Sequence, residues 1–136
     1  MKKNLINVGI YLGAIWVIFL VSLILPINNF GIIPRTGIGL IGIVTAPFLH
    51  LNFQHITSNS FAIIIFAPLF VLVEGDKALE KVGALIILTG ILTWIIARPA
   101  VHIGASGLIF ALYGYLISLS YFKKKILYIF LSLFLI

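Results

Sequence analysis

The chain has 136 residues, a formal net charge of +6, 62% hydrophobic residues and only 9% charged ones. Soluble domains carry roughly 25% charged residues, so nine Lys/Arg and three Asp/Glu cannot coat a water-facing surface, which excludes an ordinary cytosolic domain and a disordered chain. The basic residues stand between long apolar runs and form no basic face, which argues against nucleic-acid binding, and the absence of cysteine excludes disulfides, zinc-thiolate sites and thiol nucleophiles.

Lys2 and Lys3 precede an apolar run from Leu5 to Leu25, closed by Pro26. A span needs about 20 apolar residues at about 1.5 Å rise each to cross a core of about 30 Å, and this run suffices. It exceeds the roughly 7–15 residues of a signal-peptide apolar region. Pro26-Ile27-Asn28-Asn29 is also a poor cleavage context, so the run reads as a retained span. Residues 26–47 are broken by Pro34 and by glycines 31, 37, 39 and 42. They read as a long loop lying partly in the membrane interface.

Further spans are expected at about 55–73, 82–97 and 104–122. The intervening polar breaks are Glu74-Gly75-Asp76-Lys77 with Glu80-Lys81, then Arg98-Pro99, then Lys123-Lys124-Lys125. Residues 126–136 begin a fifth run. Its eleven residues give about 16.5 Å of helix, short of the core thickness, and they are apolar all round, unlike an interfacial helix. The expectation is a single, all-α, polytopic membrane domain over residues 1–136, truncated at its C-terminal end. Orientation follows from charge. With the N-terminus cytoplasmic, the inner side holds Lys2, Lys3, Lys77, Lys81 and Lys123 to Lys125, and the outer side only Arg35 and Arg98. That is a positive-inside bias of seven to two.

Polar groups within spans are costly and point to function. His50, His55 and Asn59 cluster at the mouth of the second span. His55 and Asn59 are separated by four residues and share one helix face. Gly104-Ala105-Ser106-Gly107 opens the fourth span at the same outer face, where free N–H groups of a helix start can meet an anion. Gly107, Ala111 and Gly114 continue it as a small-residue stripe that admits a neighbouring helix.

Bland readings exist for each motif alone. Gly-Ser pairs in membrane helices usually serve packing, and an isolated membrane histidine is usually a structural hydrogen-bond partner. The soluble-hydrolase pattern G-x-S-x-G is not met, because Leu108 follows Gly107. His50, His55 and His102 are joined by no carboxylate or thiol, and the spacing of His50 and His55 does not place both on one helix face. No metal is assigned.

Taken together, His50, His55-x-x-x-Asn59, Glu80, Gly83 and Gly104-Ala105-Ser106-Gly107 resemble the rhomboid intramembrane serine proteases over roughly residues 44–122. Pro34-Arg35-Thr36 and Thr45-Ala46-Pro47-Phe48-Leu49-His50 look like the loop of a bacterial subgroup. The resemblance implies a rhomboid-like helix bundle, lacking here the end of span five and span six. It implies Ser106 as nucleophile and His55 and Asn59 as oxyanion donors beside the Ser106 N–H. Gly104 and Gly107 would let the serine loop turn and the helices approach, and His50 would structure the outer loop. The substrates implied are transmembrane proteins in the lipid bilayer of a bacterial inner membrane, with no cofactor and no nucleic acid.

Two features depart from the family. Its general-base histidine, in a sixth span, has no counterpart, and His102 precedes the serine in an outer loop and is not assigned as base. Phe110 stands where the family often has a tyrosine packed against that base. Activity of the chain with these residues alone is therefore expected to be absent or nearly so. The alternative reading is a non-catalytic rhomboid-like protein that binds client transmembrane helices.

The charge bias makes a topological prediction. Reporter fusions after Lys125 should read cytoplasmic and those after Arg98 external. An external signal at Lys125 would refute the orientation.

Overall fold

A computed structural model of the protein describes residues 1–123. The fifth apolar run lies outside the described residues. Helix α1 (Lys2–Ser22) is about 31 Å long at helical rise. Ser22 Oγ turns back to the Phe19 carbonyl at 2.7 Å, and Pro26 follows shortly. The connecting segment, residues 23–52, contains 3-10 turns at Ile27–Phe30, Ile38–Leu40 and Ala46–Phe48 and one short helix, α2 (Gly42–Thr45).

Helix α3 (Phe53–Glu74) starts at Asn52, whose side-chain oxygen accepts from the His55 N–H at 2.8 Å. That is a helix N-cap, which satisfies one of the otherwise unpaired first-turn donors. After Gly75 the chain reverses through a 3-10 turn into α4 (Ala78–Ile96), and α5 (Ser106–Lys123) follows the loop 97–105. Among the described residues there is no strand. The one extended pairing is an antiparallel bridge between Ile32 and His102, which exchange backbone hydrogen bonds of 2.9 and 2.8 Å.

Helix α1 packs on α3, α3 and α4 on α5, and α2 on α4. Ile15, Phe19, Ile56, Ile63, Phe70 and Leu112 form the buried core. The outward faces are also apolar: Ile10, Val17, Phe61, Leu72, Leu88 and Phe110 are all exposed. Such a surface suits lipid and not water. The protein is an α-helical membrane bundle.

Polar residues gather at the two ends. At the end away from Ser106, the Met1 amine pairs with Asp76 at 2.7 Å and Asn4 Nδ2 donates to the Gly75 carbonyl at 2.7 Å. Beside them Lys81 pairs with Glu74 and donates to the Tyr115 hydroxyl at 2.7 Å, and that hydroxyl donates to Glu74 at 2.6 Å. This network ties α3, α4 and α5. Because α1 and α4 begin there and α3 ends there, Lys2, Lys3, Lys77 and Lys81 share that end of the bundle.

At the opposite end Arg35 is more than a loop cation. Its backbone has a positive φ of 59°, and its N–H donates to the Trp94 carbonyl at 3.1 Å. Its guanidinium donates to the carbonyls of Ile95 and Ala97 at 2.9 and 3.0 Å. These are carbonyls that a helix end leaves without intrahelical partners, and a cation there also opposes the helix dipole. Trp94 Nε1 returns a bond to the Thr36 carbonyl at 2.9 Å. Gly90 makes room for this docking, since a Cβ there would meet Ile43 Cγ2 at 2.7 Å.

Replacing Arg35 with alanine should therefore lower stability by about 1–2 kcal/mol, the scale of exposed hydrogen bonds from a charged donor. Thermal melts in detergent check this. Arg35→Gly, which relieves the positive φ, should still be less stable than the parent. An unchanged melting temperature in both variants would show that the clamp contributes nothing.

Candidate functional site

The N-cap at Asn52 places His55 in the first turn of α3. The Leu51 N–H lies 3.4 Å from His55 Nδ1, so this nitrogen is the acceptor and the neutral ring carries its proton on Nε2; the assignment follows from the hydrogen-bond network. One turn on, Asn59 is buried and its Nδ2 lies 3.0 Å from His50 Nε2. The amide nitrogen has two hydrogens, which leaves one for another partner.

Gly104 packs closely against both side chains. Its φ is +113°, a region that side-chain-bearing residues rarely adopt. A Cβ there would lie 2.4 Å from His55 Nε2 and 3.3 Å from Asn59 Nδ2. Only glycine allows the backbone before α5 to approach so closely. The Gly104 N–H is held by the Ala46 carbonyl at 2.9 Å.

Ala105 is fully buried, and Ser106 begins α5. The first helical bond runs from the Ile109 N–H to the Ala105 carbonyl, so the N–H groups of Ser106, Gly107 and Leu108 have no acceptor within the helix. Ser106 is partly exposed. It borders a cavity of about 230 Å³ lined also by Thr89, Thr93, His102, Gly107 and Phe110.

His50 is 0% exposed. Its carbonyl accepts from Asn28 Nδ2 at 3.3 Å, and its ring meets the His55 ring edge-on, with centroids 5.1 Å apart. Helix spacing alone would separate these two rings. They touch because His50 lies in the segment ahead of α3 and folds back over its first turn. Among the described residues no third His, Asp, Glu or Cys joins them in a metal-binding group. His50 is held neutral, its pKa pushed down to about 4. Burial is the main cause and the neighbouring His55 charge the second, and a backbone contact with Phe48 opposes both.

The remaining sequence candidates scatter. His102 bonds through Nε2 to the Arg98 carbonyl at 3.0 Å and through its backbone to Ile32. Gly107 faces Thr89 at ordinary contact distance, 3.7 Å from a built Cβ, whereas Gly114 faces open space. Glu80 and Gly83 belong to the first turns of α4, at the far end. Sequence reasoning missed Asn52, Asn28 and Thr89. Asn52 was readable as a capping residue three positions before His55. Asn28 and Thr89 were not, since their roles depend on the path of the connecting segment and on the approach of α4 to α5.

The Rhomboid domain family model matches residues 37–136. An uncharacterized protein of Mycobacterium tuberculosis is 34% identical over 101 residues, covering 70% of this chain and 42% of the relative. Rhomboid-like protein 11 of Arabidopsis thaliana chloroplasts is 37% identical over 93 residues, covering 62% and 31%. A Bacillus subtilis protein provisionally named a rhomboid protease is 31% identical over 87 residues, covering 62% and 44%. The chain thus spans about two fifths of the length of the first of these relatives. No solved structure gives a significant match.

The lowered pKa of His50 has a signed consequence. A base whose folded pKa lies below its unfolded value of about 6.5 stabilises the fold above pH 6.5, and that stability is lost as pH falls from about 6.5 toward 4. The linkage amounts to roughly 3 kcal/mol at most. Melting temperature in detergent should fall across this window, and His50→Gln should flatten the fall. An equal pH slope in both proteins would contradict the assignment.

Proposed function

From the premise that the chain belongs to the Rhomboid family, we propose that it carries the nucleophile and oxyanion-binding residues of a serine endopeptidase that cleaves transmembrane protein substrates within the membrane. The observation that carries this reading is the seat of Gly104 against His55 Nε2 and Asn59 Nδ2. It sets two side-chain donors beside the loop that delivers Ser106.

In the proposed reaction the Ser106 hydroxyl attacks the scissile carbonyl and loses its proton to a base. The tetrahedral oxyanion then receives hydrogen bonds from His55 Nε2–H, Asn59 Nδ2–H and the Ser106 N–H. Donors fixed in advance, in a site shielded from water, stabilise developing charge without reorganising. His50 takes one Asn59 hydrogen and so orients the amide.

The reading assigns the general base to none of the three histidines. His50 is buried and bonded to Asn59, His55 is committed as a donor, and His102 is bonded at Arg98. A Ser–base pair acts as a unit, and its loss costs orders of magnitude.

Cleavage of a fluorescent model transmembrane substrate in proteoliposomes tests it. The chain alone should be inactive. Fused to a further membrane segment that supplies a histidine, it should cleave. Ser106→Ala should abolish that activity, and Asn59→Ala should slow it by on the order of 2–4 kcal/mol of transition-state stabilisation. Cleavage that survives Ser106→Ala would refute the nucleophile. Cleavage by the chain alone that His102→Ala stops would instead identify His102 as the base.

A further inference from the structure

A second cavity lies in the other half of the bundle, between α1 and α4. Its volume is about 200 Å³. Val8 and Tyr11 of α1 form one wall, Val82 and Ile86 of α4 the other, and Ile63 and Leu112 the back. The Ala46–Phe48 turn roofs it. The Met1–Asp76 and Asn4–Gly75 bonds close its floor. Since α1 packs on α3 and α4 on α5, the remaining side opens laterally, past the exposed Leu79.

Its polar lining residues are Asn4, Asn7 and Tyr11, the other eleven being apolar, and Asn7 is partly exposed. Tyr11 donates its hydroxyl to the Pro47 carbonyl at 2.8 Å, and the Asn4 amide serves Gly75. A buried water needs two to four polar partners, and an apolar cavity of about 150 Å³ stays dry and takes an apolar guest. A dry crevice open sideways in a membrane protein meets hydrocarbon. Lys2, Lys3 and Lys77 are exposed and stand next in the chain to the lining residues Asn4 and Ala78 at that end. Neither ion pair formed by the described residues uses them, since those pairs take the Met1 amine and Lys81. Of the three acids at this end, Glu74 and Asp76 are paired, and Glu80 alone offsets the three lysines.

We propose that this crevice holds one acyl chain of an anionic glycerophospholipid, with its headgroup against Lys2, Lys3 and Lys77. From Asn4 to Tyr11 the groove runs about 10 Å along α1. Its lining includes Leu108, two residues past Ser106, so the bound chain supports the first turn of α5. The proposal is independent of the chemistry assigned to Ser106.

The test places the full chain in phosphatidylcholine vesicles doped with phosphatidylglycerol or phosphatidylcholine that carries a photoreactive acyl chain. Labelled residues are mapped by mass spectrometry. Labelling at Val8 and Val82 should exceed that at the lipid-facing control Phe61 several-fold, and phosphatidylglycerol should be favoured by roughly fivefold or more, the scale of a single lysine at an anionic headgroup. Val82→Trp should fill the groove and reduce labelling at Val8 while leaving Phe61 unchanged. The combined Lys2→Ser, Lys3→Ser and Lys77→Ser variant alters no core residue. It should remove the headgroup preference and keep the acyl-chain labelling, which decides the matter even if Val82→Trp fails to fold. Labelling equal to that at Phe61, or no preference between headgroups, overturns the proposal. So do crosslinks that show the groove filled by residues 124–136 or by a second copy of the chain.

Discussion

Hydrocarbon offers no hydrogen bonds, so a non-helical segment packed among spanning helices must find partners for its backbone within the protein. Residues 23–52 face this requirement most sharply. Tyr11 serves the Pro47 carbonyl, Asn28 the His50 carbonyl, Thr45 the Phe30 carbonyl and Trp94 the Thr36 carbonyl. Arg35 in turn serves the end of α4, and the Ala46 carbonyl receives the Gly104 N–H. The Asn28 and Thr45 bonds tie the segment to itself, and the others fix it against α1, α4 or the loop before α5. The position of Gly104, and with it Ser106, is a by-product of satisfying the backbone.

The two ends of the bundle handle polarity differently. The end at Lys2 and Lys77 carries charge and uses a three-way network of Glu74, Lys81 and Tyr115 to join helices. The end at Ser106 keeps its buried polar groups neutral. His50 has no exposure and a pKa pushed down to about 4, so it accepts from Asn59 and does not compete as a cation. Neutral partners suit a site proposed to stabilise a transient negative charge through N–H groups, because a resident anion is then absent from the donors.

Gly104 combines two demands that reinforce one another. Its positive φ turns the chain into α5, and its missing Cβ lets that turn lie against the His55 ring. A methyl group would strain the backbone and collide with an imidazole already held at Nδ1 by the Leu51 N–H. Neither demand alone would single this glycine out from the other eleven in the chain. Gly75 also has a positive φ but faces open space, and Gly39 and Gly42 are crowded by backbone without one.

Fold class was legible in the sequence because length and apolarity of a helix are local properties, and 62% hydrophobic residues with nine Lys/Arg between the runs leave few other solutions. The shared face of His55 and Asn59 follows from 3.6 residues per turn, and the break before α5 from Gly104. Contacts made across the connecting segment were not legible. The spacing of His50 and His55 argued for separation, yet their rings touch. Arg35 read as a loop cation, yet it caps α4. Asn28 gave no signal at all. Helical periodicity is written into neighbouring residues. The path of a glycine- and proline-broken segment is decided only when distant helices offer carbonyls and grooves to dock against, and so the tertiary structure alone set how that segment meets His55, the end of α4 and the loop before Ser106.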